Sequence, residues 1–92
     1  MVGLVGWDLH LAGCRSLKDK RRVIKSIKDR LHRQFNVSVA ETDCHDLWQR
    51  AQLTCCVVSR DEKHASDVLT SADKLVASDS LARIIDSWRE LR

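Results

Sequence analysis

Residues 16–35, SLKDKRRVIKSIKDRLHRQF, form the stretch that decides the fold class. Apolar residues recur in it at spacings of three, four and seven, which predicts an amphipathic helix. Ser16 with Asp19 three residues later is typical of a capping box at a helix N-terminus. We therefore predict a first helix over residues 16–35. Its apolar face consists of Leu17, Ile24, Ile27, Leu31 and Phe35.

The segments around this helix alternate between apolar and polar residues, which predicts strands over residues 2–11, 37–41 and 48–59. A second helical pattern follows a capping box of Ser59 and Glu62. Its apolar positions are Ala65, Val68, Leu69, Ala72, Leu75 and Val76. Residues 81–91 suit a helix slightly better by periodicity alone. A β-α-β-β-α order, however, lacks one strand of the split βαβ arrangement, so we predict a fourth strand there.

Length and composition predict one α+β domain over residues 1–92, because a chain of 92 residues is too short for two domains. No apolar run approaches a membrane span, and the first residues lack the charged leader of a secretory signal. We therefore expect a cytoplasmic protein with no membrane contact. Its cysteines are then expected to be reduced. They are Cys14, Cys44, Cys55 and Cys56.

In a split βαβ fold both helices lie on one face of an antiparallel sheet, and the other face is open. The alternation assigns Asp8, His10, Gln52, Thr54 and Cys56 to this open face. A partly polar open face meets either solvent or a partner. One hypothesis is therefore a protein-interaction or self-association module, such as a homodimer, that uses this face or an edge strand. Its partner-binding residues would be Asp8, His10, Thr54 and Cys56.

The first helix carries most of the positive charge. Residues 14–33 hold nine Lys or Arg against two Asp, a local balance of +7 within a net charge of +3. Arg21, Lys25, Lys28 and His32 lie at i, i+4, i+7 and i+11, opposite the apolar face. Further cations crowd the first two turns, where the helix dipole disfavours them by about 0.3–1 kcal/mol each. A cost of this kind favours a binding role, although a solvated helix face remains an equal alternative.

The leading hypothesis is therefore a non-enzymatic binding module that contacts the phosphate groups of RNA through this helix, and a small-anion site at the start of the helix is a further alternative. The candidate residues are Arg15, Ser16, Lys18, Lys20, Arg21, Arg22, Lys25 and Lys28. Trp7, Phe35, Trp48 and Trp88 are the only aromatic residues, and none falls clearly on the open face. Bases would then lack a stacking surface, so the helix would recognise the backbone of structured RNA.

Two sets of residues could suggest other chemistry. His10, Cys14, Cys44 and His45 are zinc-ligand types, but they lack the usual CxxC or HxxxH spacing, and we expect no metal or other cofactor. Cys14 lies among cations that would lower its pKa, yet no oxyanion hole or pocket is evident, and we expect no enzyme activity. In the run Asp46–Arg50 we predict that Trp48 plugs the core edge while Asp46 pairs with Arg50; a contact site is the alternative.

Four stretches, taken together, resemble one protein family. They are DLH at 8–10, GCRSLKDKRR at 13–22, FNVSVAE at 35–41 and DLWQRA at 46–51. In this order they resemble the YlxP-like family, small bacterial proteins classed as a domain of unknown function. The resemblance implies a ferredoxin-like βαββαβ fold and carries no activity, cofactor or catalytic residues. Genes of this family often lie beside those for a translation initiation factor and a ribosome-binding maturation factor. This association implies ribosomal RNA or a ribosomal subunit as a partner.

Overall fold

The computed structural model describes all 92 residues and has the element order β-α-β-β-α-β. The elements are β1 Val2–His10, α1 Leu17–Gln34, β2 Ser38–Asp43, β3 Arg50–Val58, α2 Glu62–Ala77 and β4 Arg83–Leu91. The strands form one antiparallel sheet in the order β2-β3-β1-β4. The predicted α+β class and ferredoxin-like fold are thus confirmed, and so is the strand in the tail. Neither helix is long and apolar enough to cross a membrane.

The core lies between the sheet and the two helices. Val5, Trp7 and Leu9 of β1 point into it beside the alternate residues of β3, in the register Trp7–Leu53. From the helices, the buried apolar residues are Ile24, Ile27, Leu31, Ala65, Leu69, Ala72 and Val76. The Nε1–H of the fully buried Trp7 donates to Asp73 Oδ1 of α2 at 2.9 Å. This bond satisfies the one polar atom of the largest core side chain.

Several predicted boundaries move by a few residues. β3 begins at Arg50 rather than at residue 48, and β2 continues to Asp43, into the segment that we predicted as a turn. The N-cap of α2 is Asp61, whose side chain accepts from Lys63 N at 3.0 Å. The predicted capping box of Ser59 and Glu62 is therefore wrong. Ser59 Oγ instead accepts from Asp61 N at 3.1 Å and shapes the turn before the helix.

At one end of the molecule the β1–α1 turn, the β2–β3 loop and the α2–β4 turn lie together. This follows from the sheet order, because β1 and β2 end there while β3 and β4 begin there. The N-terminus of α1 lies at the same end. We call this the loop end. Arg30 of α1 forms an ion pair with Asp79 of the α2–β4 turn, and this pair links α1 to the end of α2.

Candidate functional site

The exposed face of α1 points away from the sheet and carries cations that the fold leaves unpaired. Among the nine Lys and Arg of residues 14–33, Lys20, Lys25 and Arg30 form ion pairs. The other six have no acidic side chain within 4.0 Å, and five of them are exposed while Lys28 is half-buried. They are Arg15, Lys18, Arg21, Arg22, Lys28 and Arg33. The exposed pair of Lys25 with Asp29 spans 2.7 Å and holds the pKa of Asp29 below its ordinary value.

The start of α1 is closed by its own side chains. Ser16 is the N-cap, and its Oγ accepts from Asp19 N at 3.1 Å, as the sequence predicts. Asp19 Oδ2 reaches back to accept from Arg15 N at 3.1 Å, one residue before the N-cap. A carboxylate therefore already occupies the place where the small-anion hypothesis puts a phosphate. Gly13 is exposed, and apart from its chain neighbours no residue lies within 4 Å of the position that a Cβ would take there.

Lys20 does not lie on the basic surface to which we assigned it. It is 2% exposed, and its Nζ lies 2.7 Å from Glu41 Oε2 of β2. The same Nζ donates to Cys44 O at 2.5 Å and to His45 O at 3.5 Å. Lys20 is in the core because it follows the same helical spacing as Ile24, Ile27 and Leu31. Its charge is therefore used inside the molecule, where it holds the β2–β3 loop.

The β2–β3 loop, residues 44–49, also differs from the prediction. Trp48 does not plug the core edge: 53% of it is exposed, and its neighbour Leu47 is 51% exposed. Arg50 does not pair with Asp46 but lies 3.6 Å from Asp8 on the open face. Both parts of that interpretation are wrong, because the chain turns at Cys44, with φ of 64°, and carries residues 45–48 away from the core.

The cysteines and histidines do not form a reactive or metal-binding cluster. No group of three or more His, Cys, Asp or Glu side chains converges, so His10, Cys14, Cys44 and His45 do not form a four-ligand set. Burial raises the pKa of the Cys14 thiol and Asp19 raises it further, which outweighs the lowering by Lys20. The predicted lowering is therefore wrong. Burial, with the neighbouring Cys56, raises the pKa of Cys55 to about 11.

The open sheet face carries an aromatic residue that we did not place there. Trp88 of β4 is the register partner of Gly6 in β1, and its six-membered ring covers the position that a Cβ of Gly6 would take. Trp88 is nevertheless 41% exposed. Across the same face, Thr42 Oγ1 lies 2.7 Å from Gln52 Oε1 and 2.9 Å from Thr54 Oγ1. The predicted partner-binding residues Asp8, His10, Thr54 and Cys56 are all half-buried.

An open groove of about 980 Å³ lies at the loop end, between the first turns of α1 and the α2–β4 turn. Its apolar lining includes Val23, Ala82 and Ile84. Asp19 and Asp79 also line it, but both accept hydrogen bonds within the chain. Arg22 and Arg83 also line the groove, and neither has an acidic partner.

Fold and surface together define a small ferredoxin-like α+β protein with a basic first helix. The profile of the family described as "Protein of unknown function (DUF503)" matches residues 2–89. "Uncharacterized protein YlxP" of Bacillus subtilis (strain 168) is 35% identical over 77 residues, which cover 79% of this chain and 84% of that protein. The chain therefore belongs to the DUF503 family, and the resemblance to YlxP-like proteins is confirmed.

A solved structure extends the comparison of the fold. The solution NMR structure of a de novo designed protein with a ferredoxin fold is similar to this chain with a TM-score of 0.58. The match covers 100% of this chain and 87% of the designed one, at 16% sequence identity. At this identity the likeness concerns the fold alone.

Proposed function

We propose that the protein is a non-enzymatic binding module that contacts RNA, such as ribosomal RNA in a ribosomal subunit, through the exposed face of α1. It takes no cofactor in this role and acts in the cytoplasm. The observation that carries the proposal is the set of six unpaired cations in residues 14–33. Pairs with acids at i+4, such as the pair of Lys25 with Asp29, stabilise an exposed helix, and these six cations lack such pairs.

The position of these cations supports contact with a phosphate backbone. Arg21 and Lys28 are seven residues apart, and Lys18, Arg22 and Arg33 lie on the same outward side of α1. A helix that presents several cations on one side can meet several phosphates at once, and release of condensed counterions then drives binding. The helix dipole penalises Lys18, Arg21 and Arg22 in the free protein, and a bound anion would remove that penalty.

Replacement of Lys18, Arg21 and Arg22, three exposed cations of α1 without acidic partners, by Glu is expected to weaken RNA binding by about 10- to 100-fold at low salt. The same change should reduce the slope of log Kobs against log salt by about 3, one unit for each lost phosphate contact. The measurement is co-sedimentation with small ribosomal subunits, and fluorescence anisotropy with protein-free ribosomal RNA, across a salt series.

The matched control reverses three exposed cations outside α1, Arg60, Lys63 and Lys74, and so makes the same change in net charge. This control should bind nearly as well as the wild type. Equal losses in the two triple variants would mean that only net charge matters, and the proposed interface on α1 would then be abandoned. Circular dichroism should show both variants folded, because none of the substituted side chains is buried in the core.

Self-association through the open sheet face is a second candidate, and Trp88 is the observation that favours it. The face carries a half-exposed indole and charges of both signs. Asp8 lies near Arg50, and Glu90 pairs with Arg92. Asp86 and Arg83, the register partners of Asp8 and His10, add one charge of each sign. A nearly neutral face with an aromatic anchor suits a protein contact better than it suits a phosphate backbone. This face lies opposite α1, so the two candidates can be tested separately.

Thr54→Lys is expected to turn a dimer of this kind into a monomer, because the change places an unpaired charge at the centre of the open face. Sedimentation equilibrium should show a concentration-dependent dimer for the wild type that persists at high salt. Arg33→Glu, on the exposed face of α1, serves as the control and should leave the dimer intact. A wild-type mass that stays monomeric at the highest soluble concentration argues against self-association.

A further inference from the structure

The β2–β3 loop displays its most hydrophobic residues to solvent. Leu47 and Trp48 are 51% and 53% exposed. Trp48 is one of only four aromatic residues in this chain, yet it does not contribute to the core. Apolar side chains exposed in this way contribute no burial energy to the fold, and neighbouring exposed apolar residues are typical of an interaction site. Exposed Trp residues on defined backbones are typical centres of binding interfaces.

This loop is held firmly at both ends, so Trp48 is presented from a fixed position. At its start, buried Lys20 donates to Cys44 O at 2.5 Å. At its end, Gln49 Nε2 donates to the carbonyl oxygens of Ala12 and Cys14 at 3.3 and 3.2 Å. The backbone N–H of Leu11 also donates to Gln49 O at 2.9 Å. A fixed loop loses little conformational entropy when a ligand binds.

The same contacts place the loop beside the basic N-terminus of α1. Gln49 is bonded to Cys14, and the next residues along the chain include Arg15 and Lys18, both exposed and without acidic partners. The loop has one carboxylate of its own, Asp46, which is exposed. Unpaired cations next to an exposed aromatic ring are the combination by which proteins hold unpaired nucleotides: the cations bind phosphates and the ring stacks on a base.

We propose that Trp48 stacks on an unpaired base of the RNA that α1 contacts, so that the loop end recognises a single-stranded segment or a bulge. This inference rests on the proposed function and adds a preference to it. Helix α1 alone binds backbone phosphates in any strand, whereas Trp48 makes the protein favour unpaired nucleotides. It also replaces the expectation that only backbone shape is recognised.

The test compares a single-stranded RNA oligonucleotide of mixed sequence with an RNA duplex that has the same number of phosphates. The wild type should bind the single strand more tightly. Trp48→Ala should weaken that binding by about 5- to 100-fold, the range for loss of one stacked base, and leave duplex binding unchanged. Trp48→Phe keeps an aromatic ring and should retain most of the affinity. Trp88→Ala, on the open sheet face, is the control and should leave binding of both RNAs unchanged.

Asp46→Asn distinguishes RNA from a protein partner at the same loop. Asp46 lies two residues before Trp48, so removal of its charge should reduce repulsion of the phosphates and tighten RNA binding a few-fold. The same change should weaken a contact with a basic protein segment. RNA binding that depends on the α1 cations but not on Trp48 overturns this inference and leaves the proposed function standing. No RNA binding at all overturns both. In a third outcome, Trp48→Ala loses binding to intact ribosomal subunits but binds protein-free RNA as the wild type does. The loop would then contact a ribosomal protein, and this result also overturns the inference.

Discussion

Lys20→Met is expected to lower the free energy of unfolding by about 3 kcal/mol, although it removes a surface-type residue from a helix rich in lysine. The reason is Glu41, whose carboxylate lies 2.7 Å from Lys20 Nζ and would be left in the core edge without a partner. The value lies at the low end for broken buried pairs, because 23% of the Glu41 side chain remains exposed. For a chain of this size it corresponds to a fall in Tm of about 15 °C, measurable by circular dichroism.

Lys25→Met is the matched control on the same helix. Its ion pair with Asp29 also spans 2.7 Å, but both side chains are more than half exposed. Its loss should change the free energy of unfolding by about 0.5 kcal/mol or less. Equal effects of the two substitutions would mean that the Lys20 pair is solvated in solution and does not hold the core edge.

The double variant Lys20→Met, Glu41→Leu separates stability from loop anchoring. It replaces the buried pair by apolar side chains, an exchange that is often neutral or stabilising, so most of the lost stability should return. The carbonyl groups of Cys44 and His45 would still lack the donor that Lys20 supplies. Hydrogen exchange should therefore remain faster in residues 44–49 than in the wild type. If Trp48 acts from a fixed position, this stable variant should also lose part of its preference for single-stranded RNA.

The Lys20–Glu41 pair could have been predicted from two patterns in the sequence. Lys20 precedes Ile24, Ile27 and Leu31 at the spacing of the apolar stripe. On β2, the alternation places Glu41 on the same face as Val37 and Val39. Two residues of opposite charge therefore occupy core-facing positions on neighbouring elements. The density of cations around Lys20 obscured this signal, because it makes every lysine there look like part of one surface.

The fold was predictable because its periodic segments are long and the connections between them are short. The alternation in β1 and β3 identifies the core-facing residues, and burial follows it closely. The position of Trp48 was not predictable, because it depends on a turn at Cys44 that local sequence does not specify. Trp88 was missed for a different reason. A bulge opposite Asp8 and Leu9 shifts the register of β4, so alternation along the tail does not give the face on which each residue lies.

Gly6 is the residue from which the position of Trp88 on the open face could have been predicted. A glycine inside a strand weakens it, and often marks a place where another group approaches the backbone closely. Here the approaching group is the indole ring, which lies over Gly6 on the open face. A side chain at residue 6 would overlap that ring. The absence of a Cβ in β1 is therefore what allows Trp88 to lie flat on the sheet.

Gly6→Val is accordingly expected to lower the free energy of unfolding by about 3 kcal/mol, the upper part of the range for overpacked sites. The ring must leave its position over β1, and because β4 is an edge strand it can swing into solvent. Trp88 should then become more accessible to a soluble quencher. If the open face is a contact surface, self-association should weaken as well. Urea unfolding and tryptophan quenching measure the two effects.

The sign of the same substitution should reverse once the ring is removed. In a Trp88→Ala background, Val at residue 6 no longer meets the indole, and it adds a β-branched residue to a central strand, where it is favoured over Gly. Gly6→Val should therefore stabilise this background by about 1 kcal/mol, instead of destabilising the protein. The coupling between the two sites is then about 4 kcal/mol, larger than most pairs in contact show, because a steric conflict is replaced by a gain. If Gly6→Val destabilises both backgrounds equally, the cause is a steric clash or strain in β1 itself and not overlap of the new side chain with the indole. Trp88 would then lie elsewhere, and the open face would lose the aromatic anchor on which its role as a contact surface depends.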